Sequence, residues 1–175
     1  MARKEALKDL QIRLAERLKQ ARSEGVSAAW LAVRVRSGNY LFPLAQASEI
    51  FPLATMSWVP YVRPWFMGVV NLRGGLFGVV DLGGFMARAQ SVARVEPDAQ
   101  ARLVTFNADL EVNSALLVDA LIGLRRQDAF VRVLPAPEGA PDYFGQQMVD
   151  AEDVSWQEIN MQSLAKNPEF LTIGA

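Results

Sequence analysis

Residues 68–85 read GVVNLRGGLFGVVDLGGF, in which two runs rich in valine and leucine flank Gly74 and Gly75. Paired glycines between such runs predict a tight β-hairpin, because glycine accepts the positive φ that the turn requires. A phosphate-binding loop is excluded: Gly78 and Gly83 have the separation of that motif, but Gly84 stands where its lysine is required. The stretch therefore predicts a turn between two strands and no nucleotide site.

The strands of this hairpin have almost no polar face. Their apolar residues are Val69, Val70, Leu72, Leu76, Phe77, Val79 and Val80. Strands that are apolar on both faces are typically buried on both faces, which indicates a strand pair shared between two packed barrels. Arg73 lies at the turn, where a rigid buried scaffold would present one cation for pairing.

The rest of the chain is divided into further short segments. From Trp30 onward apolar residues alternate with polar ones, and Ser37-Gly38-Asn39 predicts the turn of another hairpin. Three prolines within residues 51–66 predict a loop or broken helical turn, since proline cannot serve in a central strand. Residues 102–134 predict more strands. Many short strands with proline-rich joints predict a mainly β protein built from small barrels or sandwiches.

Two helices are predicted at the ends of the chain. Residues 3–23 carry one apolar stripe at spacings of three and four, which predicts an amphipathic helix laid on the domain surface. The same stripe also fits a short coiled coil or a helix that docks on a partner. Residues 155–167 predict the second helix, ending before Pro168.

The composition excludes several classes of function. The 175 residues include neither cysteine nor histidine, so disulfides, thiol nucleophiles, the usual catalytic triads and the commonest zinc ligands are ruled out. The net charge of −1 gives no overall attraction to nucleic acid. The charged N-terminus is no signal peptide, and no apolar run is long enough to span a bilayer. We expect a cytoplasmic protein without catalysis, cofactor, metal or membrane insertion.

Three segments together resemble a known family. VPYVRPWFMGVVNLRGGLFGVVDL, preceded by YLFPLAQASEIF and followed by SALLVDALIGL, is similar to the CheW-like chemotaxis coupling proteins over roughly residues 30–165. The N-terminal helix and the ending WQEINMQSLAKNPEFL look most like the PilI branch, the couplers associated with twitching motility driven by type IV pili. The chain departs from the family at Gly78, where proline is frequent, and at Ala115, where glycine is frequent.

The resemblance implies a fold of two small five-stranded SH3-like barrels packed together, with an apolar core between them. Together with the apolar stripe near the N-terminus and the polar, alanine-rich composition after residue 87, it gives an N-terminal helix over 1–25, a CheW-like domain over 28–168 with a soft link between barrel subdomains near 87–100, and a tail over 169–175. It also implies a non-catalytic adaptor. Such an adaptor couples the cytoplasmic tip of methyl-accepting chemoreceptors to the regulatory domain of a CheA-type histidine kinase, which has the same fold.

Partner-binding residues follow from matching the family motif onto this chain. Glu49 and Arg73 match an acid and an arginine that pair with one another and support the receptor-facing surface. The neighbouring positions carried over with them are Val69, Val70, Asn71, Leu72 and Gly74. The strands that form the kinase face are left open, and so is a variant in which the domain binds only kinase or only receptor.

Two other classes of function compete with the adaptor. A carboxylate-dependent enzyme or ligand-binding barrel would draw on acidic residues, namely Asp81, Asp119, Asp150, Glu152 and Asp153. A nucleic-acid-binding barrel would draw on arginines, namely Arg34, Arg36, Arg125, Arg126 and Arg132. The acids are better explained as turn and helix-start residues, and the arginines as the solvated face of alternating strands.

Overall fold

A computed structural model describes residues 12–16, 30–87 and 96–175. Residues 12–16 are helical, and the rest of the helix expected over 1–25 lies outside the described residues. The strands are β1 Trp30–Val35, β2 Gly38–Pro43, β3 Ala47–Pro52, β4 Phe66–Leu72, β5 Gly75–Asp81, β6 Arg102–Phe106, β7 Ser114–Val118, β8 Ala120–Arg125, β9 Phe130–Leu134, β10 Phe144–Asp150 and β11 Ser155–Ile159. The helices are α1 Leu82–Met86, α2 Met161–Lys166 and α3 Pro168–Leu171, with short 3-10 turns at Ala108–Leu110 and Gln127–Ala129.

The strands of the described chain form two sheets with the same internal plan. One sheet has the order β3-β6-β7-β5-β4, and the other has the order β8-β1-β2-β11-β10-β9. In each sheet, the strand at one edge pairs antiparallel with the first strand of a hairpin. At the opposite edge, the last two strands of each sheet also pair antiparallel with one another. Both sheets contain one parallel pair, β5 with β7 and β11 with β2, and the six-stranded sheet differs by the additional edge strand β9. The mainly β, CheW-like fold expected from the sequence is confirmed, with six strands instead of five in one sheet.

Three apolar clusters account for the buried side chains on the two faces of the strands. Val70, Leu72 and Val79 belong to a cluster inside the five-stranded sheet, and Trp30, Leu41 and Trp156 belong to a cluster inside the six-stranded sheet. A third and larger cluster lies between the sheets and receives the alternate residues of β1, β5, β6 and β7 together with the C-terminal helices. Because side chains of a strand alternate between its faces, one strand supplies two clusters at once.

The hairpin of residues 68–85 therefore has the double burial predicted for it over most of its length. Val80 contacts the core between the sheets, whereas Val79 contacts the core inside the five-stranded sheet. Leu76 is the exception, because it is 63% exposed. It pairs with Asn71 at the tip of the hairpin, on the face where the core between the sheets no longer covers the strands.

Several local predictions are corrected by the topology. Ser155–Ile159 is strand β11 and not helix, because pairing with β10 and β2 places Trp156 and Ile159 in two different cores. Only Met161–Lys166 forms the expected helix, with the Asn160 side chain accepting a hydrogen bond from the Ser163 N–H. The turn between β1 and β2 lies at residues 36–37, one residue earlier than predicted. The proline-rich segment is irregular as predicted.

The expected subdomain link near 87–100 does not join the two sheets. It lies between α1 and β6, and both β5 and β6 belong to the five-stranded sheet. The chain crosses between the sheets at residues 44–46 and at Asp119. The residues expected as a tail pack on the domain: Phe170 is buried, and Gly174 bridges to Val62.

Candidate functional site

The Arg73-Gly74 turn is a two-residue hairpin loop in which both residues have positive φ. The angles are 50° at Arg73 and 83° at Gly74, and Leu72 pairs directly with Gly75. The Asn71 Oδ1 accepts a hydrogen bond of 3.0 Å from the Gly74 N–H, which holds the turn from within. A left-handed backbone is uncommon for arginine, so the side chain is presented from a constrained position instead of a flexible loop.

Arg73 joins the tip of the hairpin to the opposite edge of its sheet. Its Nη1 lies 2.6 Å from Oε2 of Glu49 on β3, and its guanidinium carbon lies 5.6 Å from the centre of the Phe51 ring. The Glu49 N–H in turn donates a 3.0 Å hydrogen bond to Oγ1 of Thr105 on β6. The pair predicted from the sequence is therefore present in the structure.

This ion pair remains accessible to a partner. The Arg73 side chain is 73% exposed and the Glu49 side chain 44% exposed. An exposed pair of this kind contributes little to stability, since water screens both charges. Arg73 also keeps donor capacity beyond its one bond to Glu49, because a guanidinium carries five N–H groups.

A groove of about 290 Å³ lies beside the pair. Its lining is a mixture of aromatic, aliphatic and small polar side chains: Ser48, Glu49, Phe51, Leu72, Arg73, Phe77, Thr105, Phe106, Ala108, Val112 and Asn113. The lining comes from β3, the β4–β5 hairpin, β6 and the segment before β7. Sequence reasoning found the charged rim of this groove but missed most of its apolar wall, because those residues are far apart along the chain.

The residues carried over from the motif occupy different environments. Asn71 and Gly74 are exposed beside Arg73, and Val69 is half-buried against the core between the sheets. Leu72 is buried and lines the groove. Val70 is 2% exposed inside the five-stranded sheet, so it supports the hairpin and is not available for contact.

The acidic residues of the alternative enzyme are separated into two structural groups. Asp81 and Asp119 both pair with Arg36. Asp150 accepts hydrogen bonds from the Trp156 indole at 2.9 Å and from backbone N–H groups of its own loop. The indole bond is the main cause that lowers the pKa of the Asp150 carboxyl. Within residues 12–16, 30–87 and 96–175, no three acidic residues are grouped as metal ligands.

Known proteins share both the sequence pattern and the fold of this chain. The family model of the CheW-like domain matches residues 29–131, more than half of the chain. The chain belongs to the CheW-like domain family. It is 29% identical to the protein PilI of Pseudomonas aeruginosa over 157 residues, covering 87% of this chain and 84% of that protein.

A solved structure supports the fold. The scaffolding protein TtCheW of Thermoanaerobacter tengcongensis superposes with a TM-score of 0.64 at 15% identity, covering 78% of this chain and 86% of that chain. The family departure at Ala115 is accounted for, since this residue is fully buried in the five-stranded sheet and cannot contact a partner. In the part of the chain that the structure describes, no helix has the length and apolarity needed to cross a membrane.

Proposed function

We propose that this protein is a non-catalytic adaptor that couples the cytoplasmic tip of a methyl-accepting chemoreceptor to the regulatory domain of a CheA-type histidine kinase. The observation that carries the proposal is the exposed Arg73–Glu49 pair, on a constrained turn at the rim of a groove with one apolar wall. The family supports an adaptor role. The similarity to PilI supports a place in twitching motility driven by type IV pili.

The groove and its rim suit the receptor tip. Phe51, Phe77 and Val112 offer an apolar wall that could take a large apolar side chain, and burying such a side chain stabilises a complex by about 1.5–3 kcal/mol. Arg73 at the rim would pair with an acidic residue of the receptor by a charge-assisted hydrogen bond. An apolar anchor surrounded by a few charges is the usual anatomy of a specific protein interface.

The kinase face is assigned to the two edges of the six-stranded sheet. Among the described strands, β8 and β9 each pair with one neighbour, so each leaves one side of its backbone ladder open to a partner. These two strands carry several of the exposed large apolar residues of the described chain: Leu121, Leu124, Val131, Val133 and Leu134. Exposed apolar residues on open edges are typical of protein interaction surfaces.

Calorimetric titrations against each partner test the assignment of the two faces. Arg73→Glu should weaken binding of a receptor cytoplasmic-tip fragment by about tenfold or more, equivalent to about 1.4 kcal/mol, and leave kinase binding unchanged. Val133→Glu should have the opposite pattern, so each variant controls for the other. If the unmodified protein binds neither partner, the proposed function is wrong. If each variant weakens both partners equally, the assignment of separate faces is wrong.

A further inference from the structure

An ion cluster outside the partner surfaces joins the two sheets. Arg36 lies in the turn between β1 and β2 of the six-stranded sheet. Its Nη2 lies 2.6 Å from Oδ2 of Asp81, the last residue of β5 in the five-stranded sheet. Its Nη1 lies 3.3 Å from Oδ1 of Asp119, the residue at which the chain passes from β7 to β8. One arginine therefore contacts both the opposite sheet and the crossing between the sheets.

The backbone is arranged to hold this arginine in place. The Arg36 N–H donates to Oδ2 of Asp119, and the Asp119 N–H donates a 2.9 Å hydrogen bond back to the Arg34 carbonyl. Arg36 has a φ of 54°, an unusual value for a residue with a side chain. Such conformations persist only where the surrounding structure enforces them.

The two glycines that close the stretch at residues 68–85 have a role in the same cluster. A Cβ on Gly83 would lie 2.9 Å from Cγ and Nε of Arg36, and a Cβ on Gly84 would lie 3.0 Å from Oδ2 of Asp81. Any larger residue at position 83 would force the Arg36 side chain away from its contact with α1. The glycines thus leave space for an ion pair instead of a phosphate.

The cluster is more enclosed than the other ion pairs of the described chain. The side chains of Arg36 and Asp81 are 33% and 12% exposed, whereas those of Arg132 and Asp153 are 58% and 83% exposed. The hydrophobic effect that brings the sheets together is non-directional, and the close packing of their side chains leaves a small range of rotations between them. Charge-assisted hydrogen bonds are directional and do select one.

We propose that Arg36 is a positioning residue that holds the two sheets at one relative rotation, and so keeps the receptor and kinase faces in register. The functional part of this inference rests on the proposed adaptor function. The structural part does not depend on it. Strand β5 begins directly after the Arg73-Gly74 turn and ends at Asp81. The cluster therefore holds the end of β5 that is opposite to the receptor-facing turn.

The structural part is tested by measuring the distance between the sheets. The sequence has no cysteine, so two can be introduced without background, one at Leu76 in the five-stranded sheet and one at Val131 in the six-stranded sheet, each 63% exposed in the native protein. Double electron–electron resonance on the spin-labelled protein should give one narrow distance distribution. Arg36→Met should broaden or shift it.

Two further variants keep this test decisive. Gly83→Ala displaces the arginine without removing a charge, and should broaden the distribution as well. Arg102→Met is the matched control, because within the described residues the Arg102 guanidinium bonds to the nearby carbonyls of Ala99 and Ala101, at 2.9 and 2.8 Å, and to no acidic residue. Its distribution should stay as narrow as that of the unmodified protein. Distributions for folded Arg36→Met or Gly83→Ala that match the control would overturn the proposal.

The functional part is tested in a reconstituted complex of receptor fragment, adaptor and kinase. Arg36→Met should bind each partner separately within about twofold of the unmodified protein, yet lose most of the receptor control over kinase autophosphorylation. A purely structural role would instead weaken both separate affinities. If Arg36→Met retains full receptor control over kinase autophosphorylation, the proposed role of Arg36 in keeping the two faces in register is refuted. Absence of separate binding by the unmodified protein would refute the adaptor function and leave the distance measurement to decide the rest.

Discussion

Charge reversal at Arg73 separates a contact residue from a structural ion pair. Arg73→Glu removes an exposed pair worth about 0.2–1 kcal/mol and a cation–π contact to Phe51 worth about 0.5–1 kcal/mol. It also sets a new carboxylate beside Glu49, at a cost of similar size. The free energy of unfolding should therefore fall by about 1–3 kcal/mol. For a chain of this length that lowers Tm by about 2–12 °C, and the fold is retained.

Receptor binding should respond differently from stability. The reversed charge would repel an acidic receptor residue, so the affinity should fall at least about tenfold. Adding Glu49→Arg re-forms an ion pair of opposite orientation, which should recover most of the lost Tm and little of the lost affinity. Calorimetry of unfolding and titration with the receptor fragment measure both quantities on the same proteins. If the double variant regains full affinity, the role of Arg73 is limited to its pair with Glu49, and the assignment of a contact is refuted.

Three other substitutions test single features of the fold. Gly68→Ala should lower the free energy of unfolding by about 2–5 kcal/mol, because Gly68 has a φ of 137° and a Cβ would strike the Ser57 carbonyl; denaturation by urea measures this, and a loss below about 1 kcal/mol would contradict it. Leu76→Lys should change stability by less than about 0.5 kcal/mol, since Leu76 is 63% exposed, and a larger loss on thermal unfolding would show that the hairpin tip is covered. Asp150→Asn tests a pH dependence: the pKa of Asp150 is lowered in the folded state, chiefly by the Trp156 indole, so its contribution is present above the unfolded pKa of about 3.9 and is lost as pH falls through the lower folded pKa. The difference in Tm between Asp150→Asn and the native protein should therefore shrink below about pH 4, and a difference that stays constant down to pH 2 would contradict this.

Local signals in the sequence were sufficient for the hairpin, and the family resemblance supplied its ion pair. Gly74 follows Arg73 because a two-residue turn needs positive φ, and that requirement can be read from neighbouring residues. The resemblance to the CheW-like family implied Glu49 as the partner of Arg73, and the two side chains lie 2.6 Å apart. The absence of cysteine and histidine restricts the chemistry to functions that need neither a thiol nor an imidazole, and composition alone establishes this.

Contacts between segments far apart in the sequence decided strand β11 and the wall of the groove. Residues 155–159 have a pattern compatible with a helix, but insertion between β10 and β2 makes them a strand, and no local propensity contains that information. The wall of the groove is assembled from β3, β5, β6 and the loop before β7, so its members share no spacing in the sequence.

The stretch at residues 68–85 contains both features that its own sequence determined and features that only the tertiary structure decided. Its strands, apolar on both faces, and its first glycine pair determined a hairpin that is buried on both faces over most of its length, because strand geometry and turn geometry are local properties. The purpose of Gly83 was decided only by tertiary structure, because the side chain that lies against it belongs to Arg36, in the turn of another hairpin. Arg36 precedes its ion-pair partner Asp81 by 45 residues. Side chains that meet across two sheets are brought together by the packing of the whole chain, and no short segment carries the information for that meeting.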